Sequence, residues 1–159
     1  SSQNQSKYEA NVASVAGKMD NRVIAAYQQL GFKLVVDPSV NYSGYFDARS
    51  RSITMKQIDD SVYHELGHFL AFIAGNVDKT ASFQSIFAAE KANVTAFNKA
   101  YVTQNASEYF AESVKDYILN NASLKSTRPQ TYAAVQNALN QITDAQIPTI
   151  QKIYGAFWN

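Results

Sequence analysis

His64-Glu65-Leu66-Gly67-His68, preceded by Asp60-Ser61-Val62-Tyr63 and followed by Phe69-Leu70-Ala71-Phe72-Ile73-Ala74-Gly75, decides how this 159-residue chain is read. The chain has two histidines, and both fall in this pentapeptide. Val62, Tyr63, Leu66, Phe69, Leu70, Phe72 and Ile73 recur at helical spacings, Asp60-Ser61 offers N-cap residues, and Gly75 stands where a helix ends. Positions four apart share a helix face, so the two imidazoles can converge on one metal ion with Glu65 beside it as a general base. Zinc accepts neutral imidazole nitrogen and, in a catalytic site, keeps one position open for water. The pattern points to metal-assisted hydrolysis, the alternative being two histidines satisfied within a core.

Two histidines do not complete a catalytic zinc site. With no cysteine and no further histidine, the third ligand must be Asp or Glu. Glu108 has the best context: in Ser107-Glu108-Tyr109-Phe110-Ala111-Glu112-Ser113, Ser107 reads as an N-cap and Glu108 and Glu112 stand one turn apart. Such a like-charge pair is unfavourable on a solvated helix, but suits one carboxylate on a metal and the other accepting a hydrogen bond from a ligand imidazole. Glu90 is the competitor, although Glu90-Lys91 reads as a solvent-facing helix edge.

Ahead of the pentapeptide, Ser6 and Glu9 form a plausible capping box. Tyr8, Val12, Val15, Met19, Val23, Ala26, Tyr27 and Leu30 keep helical spacing up to Gly31, which predicts one long helix. Phe32-Lys33-Leu34-Val35-Val36 reads as a strand ended by Asp37-Pro38. Residues 42–48 and 52–55 read as a hairpin around Arg49-Ser50-Arg51. The strand at 52–55 is expected to be an edge, either pairing with an extended peptide or protected by Arg49, Arg51 and Lys56. Helical patterns follow at about 81–94, 107–120, 131–139 and from 144 onward. The expected class is α+β: a small N-terminal sheet with an edge strand before the metal helix, then a mainly helical half.

Composition narrows the function further. The chain is 46% apolar, enough for the core of a single domain over residues 1–159, and its formal net charge of +1 gives no footprint for nucleic acid. No run reaches the roughly 18–20 apolar residues of a membrane span. The absence of cysteine excludes disulfides and thiolate ligands. Ser1-Ser2-Gln3-Asn4-Gln5 lacks signal-peptide character and suits a mature exported chain. Tyr63, Phe69, Phe72, Tyr109, Phe110, Phe157 and Trp158 read mainly as core.

Four segments carry a resemblance: Tyr63-His64-Glu65-Leu66-Gly67-His68, Ala81-Ser82-Phe83-Gln84-Ser85-Ile86-Phe87, Glu108-Tyr109-Phe110-Ala111-Glu112-Ser113 and Pro129-Gln130-Thr131-Tyr132. In letters, order and separation they resemble the catalytic domain of anthrax lethal factor and the secreted clostridial Pro-Pro endopeptidases, which are gluzincin-type metalloendopeptidases with one zinc. The resemblance covers roughly residues 44–139. It implies a zincin-like metallopeptidase domain with one Zn2+ per chain held by His64, His68 and Glu108, and Glu65 as base. It also implies that Tyr101, seven residues before Glu108, is a catalytic tyrosine stabilising the oxyanion, and that Glu112 orients a ligand histidine. An extended peptide or protein substrate, a secreted bacterial setting and a monomer follow as expectations. The accessory domains of lethal factor have no counterpart, so the resemblance implies the catalytic core alone. Two rivals stay open, a peptide-binding or toxin-like targeting module that keeps the fold without turnover, and a zinc hydrolase of non-peptide amides. The base retained beside intact ligands argues against the first.

Overall fold

The computed structural model describes residues 6–158; the leader Ser1-Ser2-Gln3-Asn4-Gln5 lies outside them. The architecture is α+β. Strands β1 (Tyr8–Ala10), β2 (Lys33–Val36), β3 (Gly44–Asp47) and β4 (Ser52–Met55) form one sheet in the order β1-β2-β4-β3. The helices are α1 (Val12–Val15), α2 (Asn21–Gln29), α3 (Ser61–Ile73), α4 (Ala81–Glu90), α5 (Lys99–Val102), α6 (Ala106–Leu119), α7 (Asn121–Thr127), α8 (Pro129–Asn140) and α9 (Gln146–Trp158).

The long first helix expected from periodicity is instead β1, α1 and α2. Asn11 and Asp20 carry the reason: their side chains accept from the Ser14 and Arg22 amides and start two short helices where a helix interior was expected. Ser6 caps nothing, because Tyr8–Ala10 pairs antiparallel with β2, Tyr8 opposite Val36. Most of the apolar positions still face the core: Val12, Met19, Val23, Ala26, Tyr27 and Leu30 are buried, whereas Val15 is half-buried and Tyr8 is exposed. Gly31 ends the segment at φ +79, a conformation glycine adopts without strain.

The hairpin forms as expected, with Gly44 opposite Met55 and Asp47 opposite Ser52. Its edge is the other strand. β4 pairs in parallel with β2 on one side and antiparallel with β3 on the other, so its backbone groups are consumed and β3 is the free edge. Parallel pairing of β2 with β4 has no local sequence signal.

Helix α3 is the centre of the core, with Val62, Tyr63, Leu66, Phe69, Leu70, Ala71 and Ile73 all buried. Asp60 is its N-cap residue as expected, but its side chain makes no capping hydrogen bond and Asp59 instead accepts from the Ser61 amide at 3.0 Å; Gly75 at φ +70 follows its end as expected. Helix α6 lies along α3, and Gly67 allows it. A Cβ at Gly67 would stand 2.7 Å from the Ala111 carbonyl oxygen and 2.8 Å from its Cα. The helix beginning at residue 106 is capped by the Asn105 side chain, which accepts from the Glu108 amide at 2.8 Å, rather than by Ser107. Among the described residues, no helix is long and apolar enough to cross a membrane.

Candidate metal centre

Helix α3 presents His64 and His68 toward α6, and α6 answers with Glu108 from its first turn. One ligand atom from each of these three residues lies within 4.8 Å of the others, a grouping that could hold a metal ion. Glu108 Oε1 is 2.9 Å from His64 Nε2 and 3.3 Å from His68 Nε2. Glu112, one turn further along α6, stands 2.9 Å from His64 Nδ1, so the two glutamates take opposite edges of one imidazole. A proton held on Nδ1 by Glu112 leaves Nε2 to face the cluster as a lone-pair donor, the arrangement a metal-ligating histidine requires. Two imidazoles and a carboxylate, with no thiolate, fit zinc.

The protein groups by themselves hold charge tightly here. Burial opposes a charge on His64, but Glu108 and Glu112 outweigh it and push the imidazole up to about 9. Burial likewise opposes the charge on Glu108, yet the imidazoles of His64 and His68 hold its carboxyl well below the usual carboxylate range. Glu65 is the exception. It is 7% exposed, and burial pushes its carboxyl up despite the two imidazoles. Its neighbour across the cleft is Gly44 of β3: a Cβ there would fall 2.9 Å from Glu65 Cγ and 3.1 Å from Glu65 Oε2.

Tyr101 sits on the single turn of α5, its ring centroid 6.5 Å from that of His64, and is 55% exposed. Two adjoining cavities of about 360 and 790 Å³ share Gly44, Glu65 and Tyr101 as lining and together make up the cleft beside the cluster. The smaller runs past His68, Phe72 and Asp78, the larger past His64, Phe97 and Arg128. Gly44 of β3 lines both; Tyr45 and Phe46 of the strand line the smaller, and Tyr42 and Ser43, just before the strand, the larger.

All six residues named from the sequence, His64, Glu65, His68, Tyr101, Glu108 and Glu112, meet in this cleft. Glu90 does not. It is also no solvent-facing edge: 5% exposed, it accepts from the Gln130 and Thr131 amides and the Thr131 hydroxyl at 2.7–3.0 Å, capping α8. The Thr131 hydroxyl in turn pairs with Tyr109 at 2.6 Å, which ties the Pro129-Gln130-Thr131-Tyr132 segment to the helix carrying Glu108. Sequence reasoning missed Gly44 and Gly67. For Gly67 a signal existed, since glycine inside a helix costs about 1 kcal/mol against alanine and marks a close approach; for Gly44 there was none.

The fold and cleft define an α+β protein with a His-His-Glu cluster at the meeting of two helices, and comparison with known proteins places it. Residues 47–138, more than half of the chain, match the family described as anthrax toxin lethal factor, N- and C-terminal domain, and the chain belongs to that family. It is 41% identical over 78 residues to the Pro-Pro endopeptidase of Clostridioides difficile (strain 630). That similarity takes in 46% of this chain and 34% of the relative, so it spans about a third of the relative's length.

Proposed function

We propose that the protein is a zinc-dependent metalloendopeptidase with a zincin-like catalytic domain, hydrolysing peptide bonds of an extended peptide or protein substrate. The observation that carries this reading is the convergence of His64, His68 and Glu108 within 4.8 Å beside the buried Glu65, in an open cleft walled by a free strand edge. Family membership and a relative named as an endopeptidase support it. His64, His68 and Glu108 hold one zinc ion per chain, which when bound supplies Lewis acidity toward the scissile carbonyl and the attacking water. Glu65 takes the proton of that water and delivers it to the leaving amine, a role that suits a carboxyl whose proton affinity burial has raised. The Tyr101 hydroxyl donates to the developing oxyanion, and its exposure leaves it free to reach a bound peptide. Glu112 fixes the tautomer and orientation of His64. The substrate backbone pairs with the free edge of β3. A bacterial setting fits the relative from Clostridioides difficile. The protein acts as a secreted monomer.

The test is cleavage of a combinatorial peptide library, with Pro-Pro members included, by the native chain and by Glu65→Ala, with zinc measured on both. Expected is about one zinc on each and a loss of cleavage in the variant of about 10²-fold or more. If both hold zinc and neither cuts, the protein is a binding module instead.

A further inference from the structure

The smaller half of the cleft contains a buried charged group for which the mechanism above has no use. Asp78 lies in the 3-10 turn Val77–Lys79 between α3 and α4, after Asn76 in a left-handed conformation, and is 4% exposed. Its Oδ2 accepts the Ser107 hydroxyl at 2.7 Å. Its Oδ1 is the buried side-chain polar atom that lacks a hydrogen-bond partner among the described residues. A buried carboxylate oxygen left unpaired has lost its hydration without a replacement, which native folds rarely tolerate away from functional sites. The neighbouring cation does not remedy this. Lys79 lines the same cavity, but its Nζ is 3.9 Å from Oδ2 and its side chain is 70% exposed, so the pair contributes little and the ammonium is free to swing out to solvent when a substrate cation enters.

Asp78 lines the 360 Å³ cavity that also touches Glu65, His68, Tyr101 and Glu108. An extended chain advances about 3.3 Å per residue, so a side chain entering this cavity belongs to a residue within about two positions of the bond being cut. We propose that Asp78 is the anionic end of a specificity subsite that takes a Lys or Arg side chain of the substrate. Phe46 and Phe72, which line the same cavity, accommodate the aliphatic stem, and the cationic head meets the carboxylate. A basic head entering from the cavity neutralises the charge of a carboxylate whose one hydrogen bond is from the Ser107 hydroxyl, Oδ1 itself lying beneath the surface. An amide side chain could donate one hydrogen bond but would leave the charge buried.

This inference rests on the peptidase reading, and the experiment separates the two. Peptides differing only in Lys, Met or Gln at each position flanking the scissile bond are assayed for kcat/KM with the native chain and with Asp78→Asn, whose folding is followed by circular dichroism and zinc content. Native protein should prefer Lys over Met by about tenfold or more at one position within two residues of the cut, and Asp78→Asn should reduce that preference to about twofold or less. Where Asp78→Asn fails to fold, the native chain carries the test: acetylating that lysine, which keeps the stem and removes the charge, must abolish the preference. A native chain that cuts Lys, Met and Gln members alike, or a folded Asp78→Asn that keeps the preference, overturns the subsite and leaves the peptidase reading intact. A native chain that cuts no peptide overturns both.

Discussion

The two walls of the cleft are built on opposite principles. One wall is the α3–α6 pair, where His64 and Glu65 are each 7% exposed, Leu66 is fully buried, and two helix backbones touch at Gly67. The other is β3 with the segment leading to α5, where Tyr45 is 56% exposed, Tyr101 55% and Phe97 fully exposed. The helical wall is rigid because the packing that makes the core also sets the distances among His64, His68 and Glu108. The opposite wall presents aromatic faces and a strand edge with no strand paired to its outer side among the described residues. Groups that hold a metal ion need preorganisation, whereas groups that meet a variable substrate need exposure. The cleft takes each from a different element.

The largest effect on the fold is expected where the helical wall is tightest. Alanine is the better helix former by about 1 kcal/mol, so Gly67→Ala would stabilise an isolated helix. Here its Cβ would meet the Ala111 backbone at 2.7 Å, and a backbone, unlike a side chain, cannot swing aside. The helices must separate. Gly67→Ala should therefore destabilise the fold by about 1–3 kcal/mol in urea titration and weaken zinc binding in a chelator competition. A variant as stable as the native protein, with native zinc affinity, would show that the approach of α3 to α6 does not set the cluster.

The exposed wall should respond in the reverse way. Tyr101→Phe removes one hydroxyl from a half-exposed side chain, so stability should change by about 0.5 kcal/mol or less. If that hydroxyl stabilises the oxyanion, kcat should fall by about 10²–10³-fold with zinc content unchanged, as for loss of a single oxyanion donor elsewhere. A drop of only a few-fold would remove Tyr101 from the mechanism and leave the helical wall as the whole chemical site.

The same contrast explains what could be read from the sequence. The helical wall was legible because its signals are local: imidazoles four apart, glutamates four apart, apolar residues at helical spacing, a glycine after the last turn. Tyr101 was reached through family resemblance, since a lone tyrosine on a one-turn helix has no periodicity to announce it. The free edge was assigned to β4 instead of β3 because strand order depends on the parallel β2–β4 pairing, a contact between distant segments. The N-terminal segment failed for another reason. Its apolar spacing suits a helix, but Asn11 and Asp20 cap short ones, and capping outweighs periodicity when a partner strand is available for Tyr8–Ala10. Glu90 looked solvent-facing because its hydrogen-bond partners lie about 40 residues away on α8.

The smallest predicted effect sits where the exposed wall is anchored from outside the matched family region. Helix α9 lies beyond residue 138, yet its Trp158 indole N–H donates to the Ala48 carbonyl at 2.9 Å, just past the end of β3. The Arg51 guanidinium lies 5.0 Å over the same indole, and Phe72, which lines the smaller cavity with Ala48, has its ring centroid 4.8 Å from that of Tyr154. So α9 holds the end of the edge strand and the aromatic side of the cavity at once. Trp158→Phe keeps an aromatic ring against Phe32 and Phe72 but removes the N–H donor. If α9 works only as packing, the variant should lose about 1 kcal/mol of stability and no kinetic parameter should move. If it positions β3, KM should rise a few-fold for peptides long enough to fill the smaller cavity. It should stay unchanged for shorter ones, with kcat and zinc content native in both cases. The second outcome is expected, because β3 is held by β4 on one side only, and the indole bond tethers the residue just past its end.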